Sequence, residues 1–270
     1  MSKKVLYEKK GEVAYVTLNR PECKNAVDYE THLLLCEAWK DFRDDPALRV
    51  AILTGAGDAF TAGADLKTHA PEWQKVGPMV GRERIEDGLS GITRGPLSRI
   101  KKPIVAAING WCLGHGIELA MACDIRVASE RAQFGTFEVR RGMHSADGGI
   151  VRLLNTCGVG FAMEMILTGE PFDAQRALTA NMVNKVVPHD DLMAETEALV
   201  ARILRCDQAA TESAKETLLE CVGRTLHDQL RVEAMWGYAL CGGNQTVMAR
   251  SQQFFDKTDR GRSGATASSL

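Results

Sequence analysis

Ile104-Val105-Ala106-Ala107-Ile108, followed by Asn109-Gly110-Trp111-Cys112-Leu113-Gly114-His115-Gly116-Ile117-Glu118-Leu119-Ala120, is the stretch around which the chain is organised. The apolar run predicts a buried strand. The turn Gly114-His115-Gly116 then opens a short helix that carries Glu118. Glycine lets a backbone approach a ligand closely. Amides at a helix start have no internal partner and carry a partial positive charge. Such a turn can hold a developing oxyanion, and a carboxylate about one turn further on can reach the same reacting atoms. The same residues also suit a plain strand-to-helix turn beside a solvated glutamate, because an isolated Gly-x-Gly is a weak signal. A second strand pattern, Cys123 to Ser129, and then Phe134-Gly135-Thr136-Phe137-Glu138 close the block.

Working outward, Val5 to Tyr7 and Val13 to Leu18 flank Lys10-Gly11 and read as a β-hairpin. Asp28 is a plausible N-cap for a helix through Phe42, with Leu34, Leu35, Ala38 and Phe42 on its inner face. Val50 to Leu53 is a buried strand. Phe60-Thr61-Ala62-Gly63-Ala64-Asp65-Leu66 is a second glycine turn after a strand. His69 to Gly81, with Pro71, Gly77 and Pro78, predicts a loop whose Trp73, Met79 and Val80 would suit a cover over an apolar ligand. Ile85 to Ile100 is expected to be helical despite Gly88, Gly91 and Pro96. Ile150 to Leu154 and Phe161 to Leu167 read as two helices parted by Gly158. A short helix at Ala174 to Ala180 and a strand at Lys185 to Val187 follow. Beyond Asp191 the pattern is helical: Leu192 to Leu204, Ala209 to Cys221, Leu226 to Leu240 and Gln245 to Phe255. Strands alternate with helices up to Val187 and only helices follow, which argues for an α/β core with a C-terminal helical appendage.

Composition narrows the function. Lys plus Arg number 33 and Asp plus Glu 35, a net charge of −2 that gives no support for a nucleic-acid partner. No apolar run is expected to cross a membrane, and no signal-peptide core follows Met1-Ser2-Lys3-Lys4. The eight cysteines are scattered without a Cys-x-x-Cys pair, so they read as small buried hydrophobes of a reducing, cytoplasmic compartment. They do not read as a disulfide framework or a metal site.

Two turns look alike, Ala62-Gly63-Ala64 and Gly114-His115-Gly116. Two amides converging on one carbonyl oxygen make an oxyanion hole, each donor worth about 3 kcal/mol. With these pieces in view, the chain resembles the enoyl-CoA hydratase/isomerase (crotonase) superfamily from about Val5 to Lys257. The matching pieces are Asn19-Arg20-Pro21 with Asn25-Ala26, Phe60 to Leu66, Pro103 to Gly110, Gly114 to Asp124, Ala132 to Gly135 and Gly148-Gly149. The resemblance implies a spiral of ββα units and an acyl-CoA thioester as substrate. It also implies a homotrimer or dimer of trimers. Residues 1–200 would form the acyl-CoA-binding core, 201–259 the helical oligomerisation region, and 260–270 a disordered tail. It puts the oxyanion amides on Ala64 and His115, and the coenzyme A contacts near Lys24, Ala26, Ala62, Leu66, Phe254 and Lys257. Glu118 and Glu138 fill the two acidic positions that hydratases share. By that resemblance Glu118 activates water for attack on Cβ and Glu138 protonates Cα, with no metal or redox cofactor. Nearby carboxylates titrate as a coupled unit, which can keep one protonated near neutral pH.

Two departures from the family pattern bear on the acyl group. His115 stands where hydratases commonly have a small residue, usually glycine. The usual proline-containing loop before Gly148-Gly149 reads Met143-His144-Ser145-Ala146-Asp147. His144 and Asp147 either face the acyl pocket, favouring a polar or cyclic acyl group or a different reaction, or face solvent, with Asp147 capping the next helix. The expected activity is reversible hydration of a 2-enoyl-CoA to a 3-hydroxyacyl-CoA. The alternatives are an enoyl-CoA isomerase, an acyl-CoA hydrolase, or a non-catalytic binding relative.

Overall fold

The structure, a computed structural model, describes residues 4–77, 80, 83 and 85–255, without the side chain of Trp73. Lys257, Met79 and the expected tail at 260–270 lie outside the described residues. The chain forms two compact units that meet in sequence between Leu204 and Arg205.

The first unit opens with the antiparallel hairpin β1 (Val5–Lys10) and β2 (Val13–Leu18), then α1 (Tyr29–Asp44). Asp28 caps α1 by accepting from the Thr31 amide, and Leu35, Ala38, Trp39 and Phe42 are buried along it. One step is then repeated: a strand in a large sheet, a short strand in a small sheet, a helix. β3 (Val50–Gly55), β4 (Ala59–Thr61) and α2 (Leu66–Val76) make the first such step; β5 (Ile104–Ile108), β6 (Trp111–Leu113) and α3 (His115–Ala122) make the second. β7 (Ile125–Ser129), β8 (Gln133–Gly135), a 3-10 turn at Phe137–Arg141 and α4 (Gly149–Thr168) make the third. β9 (Phe172–Asp173), α5 (Ala174–Thr179), β10 (Lys185–Val187) and α6 (Leu192–Leu204) finish the unit. The large sheet runs β1-β2-β3-β5-β7-β10 and the small one β4-β6-β8-β9. From β2 to β10 the large-sheet neighbours are parallel, as are β4, β6 and β8, so the chain winds as a spiral of ββα units. All five residues of β5 are buried, which explains an apolar run without alternation.

Two segments differ from the expectation. Leu66–Val76 is a helix where a loop was expected, even though Pro71 removes one internal hydrogen bond. Its start is pinned from outside: the Asp65 amide donates to Val27 O, and the Thr68 and His69 amides return to Asp65 O. Residues 85–100 are turns with one 3-10 turn, Pro96–Arg99, where a helix was expected. Gly88, Ser90, Gly91 and Gly95 all have φ between 70° and 87°, which no right-handed helix accommodates. The apolar periodicity was real, since Leu89, Ile92, Leu97 and Ile100 are buried, but it served a folded turn.

Helix α4 is long and apolar enough, by length and composition, to cross a membrane, contrary to the expectation that no run would be. Gly158, at φ 78° and ψ 163°, breaks it into two segments about half as long, each too short for a span. Val151, Leu154, Val159, Met163 and Leu167 stand exposed along it.

The second unit contains α7 (Gln208–Cys221), α8 (Leu226–Gly243) and α9 (246–255). Asp207 ties its ends together, accepting from the Ala210 amide, Asn244 Nδ2 and Thr246 Oγ1. The Thr246, Ala210 and Asn244 hydrogen bonds, in that order, hold the Asp207 carboxyl down at about 2.

Candidate active site

Parallel pairing of β4 with β6 brings the two glycine turns out of the sheet side by side. Their contact is tight. Gly63 sits at φ +95°, and a Cβ there would stand 2.7 Å from Leu113 O and 3.1 Å from the His115 amide nitrogen. The first turn is held by Val27, whose amide donates to Gly63 O and whose carbonyl accepts from Asp65. Among the described residues, no acceptor takes the amide of Ala64 or of His115. Both residues line a cleft of about 590 Å³.

Glu118 and Glu138 line the same cleft. Glu118 is buried on the first turn of α3; its Oε1 accepts from the amides of Asp147 (2.7 Å) and Gly149 (3.4 Å). Its Oε2 lies 3.0 Å from His115 Nδ1. Burial pushes the carboxyl up, but the His115 hydrogen bond and charge, with the two amides, outweigh it and hold Glu118 below its ordinary value of 4.5. Glu138 comes from the 3-10 turn after β8. Its Oε1 accepts from Ser145 Oγ at 2.9 Å, while Oε2 is buried without a partner among the described residues. Burial raises the Glu138 pKa, the neighbouring Glu118 charge adds to the rise, and its own amide and Ser145 only partly oppose them. One loop therefore serves both acids, with Ser145 on Glu138 and the Asp147 amide on Glu118. The two acids are pushed apart in acidity, Glu118 down and Glu138 up.

The other expected residues divide. His144 and Asp147 both line the cleft. Asp147 does not cap α4, whose N-cap is Gly148; it accepts instead from the Leu89 amide (2.9 Å) and Arg94 Nε (2.8 Å), fastening the 85–100 turn to the site. Exposed His144 has its Nδ1 2.8 Å from Ser145 O. Ala62 and Leu66 line the cleft. Lys24 and Ala26 are not on its wall; Lys24 Nζ lies 3.1 Å from Asp58. Phe254 is exposed in the second unit. Arg94, Ser90 and Ser145 were not anticipated, and nothing in their spacing distinguishes them from ordinary loop residues. His115, Glu118 and Asp147 offer ligand atoms within 4.8 Å of one another. Each is already engaged by an N–H or O–H group, Arg94 included, so they fit a hydrogen-bonded cluster better than a cation site.

The chain matches the enoyl-CoA hydratase/isomerase family over residues 8–259 and belongs to it. It is 41% identical to the mevalonyl-coenzyme A hydratase sidH of Aspergillus fumigatus over 72% of this chain and 69% of that protein. It is 33% identical to the crotonyl-CoA hydratase of Syntrophomonas wolfei over 94% of this chain and 95% of that one. The crystal structure of an enoyl-CoA hydratase from Mycobacterium tuberculosis superposes with a TM-score of 0.84 at 31% identity, covering 94% of this chain and 96% of that one.

Proposed function

We propose that this protein is an enoyl-CoA hydratase, adding water reversibly across the double bond of a 2-enoyl-CoA. Glu118, as the ionised acid, takes a proton from water as its oxygen bonds to Cβ. The π electrons move onto the thioester oxygen, where the amides of Ala64 and His115 meet the developing charge. Glu138, as the protonated acid, then delivers its proton to Cα, leaving a 3-hydroxyacyl-CoA. The single observation carrying this is one cleft wall with two amides that no acceptor among the described residues takes, beside two carboxyls driven apart in acidity. Ala62 and Leu66, on the same wall, support coenzyme A entering there; Lys24, Ala26, Phe254 and Lys257 are the further contacts the family resemblance implies. The reaction as written needs no metal or redox cofactor, and the compartment proposed is the cytoplasm. The polar side chains of Arg94, His144 and Asp147 on the wall favour an acyl group with a polar substituent.

The test is absorbance at the conjugated thioester band of crotonyl-CoA and of hydroxylated or carboxylated 2-enoyl-CoAs. Hydration bleaches the band without releasing thiol. Thiol release would establish a hydrolase, a band appearing from a 3-enoyl-CoA an isomerase, and no change with any acyl-CoA a binding relative. The exposed apolar side chains along α4 support a homotrimer or a dimer of trimers, and the net charge of −2 supports the proposal of no nucleic-acid partner; no membrane partner is proposed.

A further inference from the structure

We propose that His115, anchored from behind by Ser90, is a positioning residue that holds the water-activating carboxylate of Glu118 with one acceptor site turned to the cleft. The proposal rests on the hydratase reading. A carboxylate offers about four acceptor sites. Two amides occupy Glu118 Oε1, and His115 Nδ1 takes one site of Oε2. What remains is on Oε2, so the ring of His115 decides where the attacking water can sit.

The ring is itself fixed. His115 Nε2 lies 2.9 Å from Ser90 Oγ. Ser90 is wholly buried and held at both backbone groups: its amide donates to His32 Nδ1 at 3.1 Å and its carbonyl accepts from Trp39 Nε1 at 2.9 Å. An ionised carboxylate can only accept, so Nδ1 carries a proton. Nε2 then accepts from the Ser90 hydroxyl, or donates to it if the ring gains a second proton, and a hydroxyl serves in either sense.

The order Ser90–His115–Glu118 is that of a hydrolase triad, but it faces the other way. In an acyl-transfer triad the serine reaches the substrate and the acid is buried behind. Here the carboxylate lines the cleft and the hydroxyl does not. The arrangement therefore supports a base and supplies no nucleophile.

The charged and titratable groups around it come from every packed element. They are His32 of α1, His69 of α2, Asp147 with Arg94, Glu138, and Arg152 of α4. Burial, then His115 and His69, push His32 down to about 4, which matches a ring nitrogen accepting from an amide. The His115 contact lowers the pKa of Glu118, so its loss moves the acidic limb of activity to higher pH.

The experiment compares the full-length wild type with His115→Ala, His115→Asn and Ser90→Ala, all of which keep the amide of residue 115. For His115→Ala the acidic limb of kcat/KM should rise by about one pH unit. Its kcat near neutrality should fall about tenfold or more with KM little changed, less than the roughly 10²- to 10⁴-fold of a lost general base because Glu118 itself remains. The side-chain amide of Asn can stand near the place of Nδ1, so His115→Asn should recover part of the loss. Ser90→Ala should shift the limb in the same direction by less. In parallel, carbon NMR of Glu δ-carboxyl-labelled protein, assigned with Glu118→Gln, follows the Glu118 titration without any substrate. An unchanged pH profile and kcat, or an unmoved Glu118 titration, would overturn the proposal; so would an acyl group found on Ser90 by mass spectrometry. If the wild type hydrates nothing, the hydratase reading fails by itself, and the NMR titration still decides the His115–Glu118 coupling. Should His115→Ala not fold, His115→Asn and Ser90→Ala carry the same readouts.

Discussion

Glu138→Gln isolates one proton. Gln keeps the shape of Glu138 and can still accept from Ser145 Oγ through its carbonyl oxygen, but it has no proton to give to Cα. Among the described residues the buried Oε2 has no partner, and burial with the Glu118 charge raises the pKa, which favours the protonated form that the proposed step needs. Loss of a positioned general acid costs about 10²- to 10⁴-fold, or about 3–5 kcal/mol at 1.36 kcal/mol per tenfold. The loss should fall equally on kcat and kcat/KM, because the interaction exists only in the transition state. The assay is bleaching of the conjugated thioester band, with exchange of the Cα proton of the 3-hydroxyacyl-CoA in heavy water as a second readout. Stability provides the folding control, and its sign is fixed. Folding raises the Glu138 pKa, so its contribution is complete below the unfolded value near 4.5 and fades as pH climbs through the folded value. Glu138→Gln escapes that fading, so its Tm should equal the wild type at pH 4 and match or exceed it at pH 8. A well-folded mutant with turnover within threefold of wild type would remove Glu138 from the chemistry.

Glu118→Gln should behave oppositely in stability. Folding lowers the Glu118 pKa, so its contribution is present above 4.5 and lost as pH falls through the folded value. Replacing a buried acceptor of charge-assisted bonds should cost about 1.5–3 kcal/mol at pH 7, a penalty that narrows in acid, as thermal melts across pH would register. Gly63→Ala would force a Cβ to 2.7 Å from Leu113 O at φ +95°. It should cost at least about 1 kcal/mol for the left-handed backbone and, by parting the two amides, more than tenfold in kcat; steady-state kinetics at unchanged pH decides this. Leu167→Lys, on the exposed face of α4, should lower the sedimentation mass toward that of one chain, and an unchanged mass would clear that face of any role in assembly.

The alternation of buried strands with glycine turns was legible along the chain, because burial on both sides of β5 demands an unbroken apolar run and the turns after β4 and β6 demand glycine. Glu118 and Glu138 were legible through the family resemblance, and the hairpin, the Asp28 cap and the break at Gly158 through local chemistry alone. Helix α2 and the 85–100 turn were misjudged because contacts distant in sequence decide them. Val27 O holds the Asp65 amide just before α2, and Asp147 grips Leu89 and Arg94 in a backbone that local periodicity took for a helix. The direction of the His115 ring was not legible either. A side chain's partner depends on what the fold sets opposite it, and Ser90 is 25 residues away. Sequence thus determined which groups could do the chemistry. Tertiary structure alone decided that two parallel short strands would set their amides together, and that the His115 ring with the Asp147 and Gly149 amides would hold Glu118 down while burial raised Glu138, since those contacts exist only once the chain is packed.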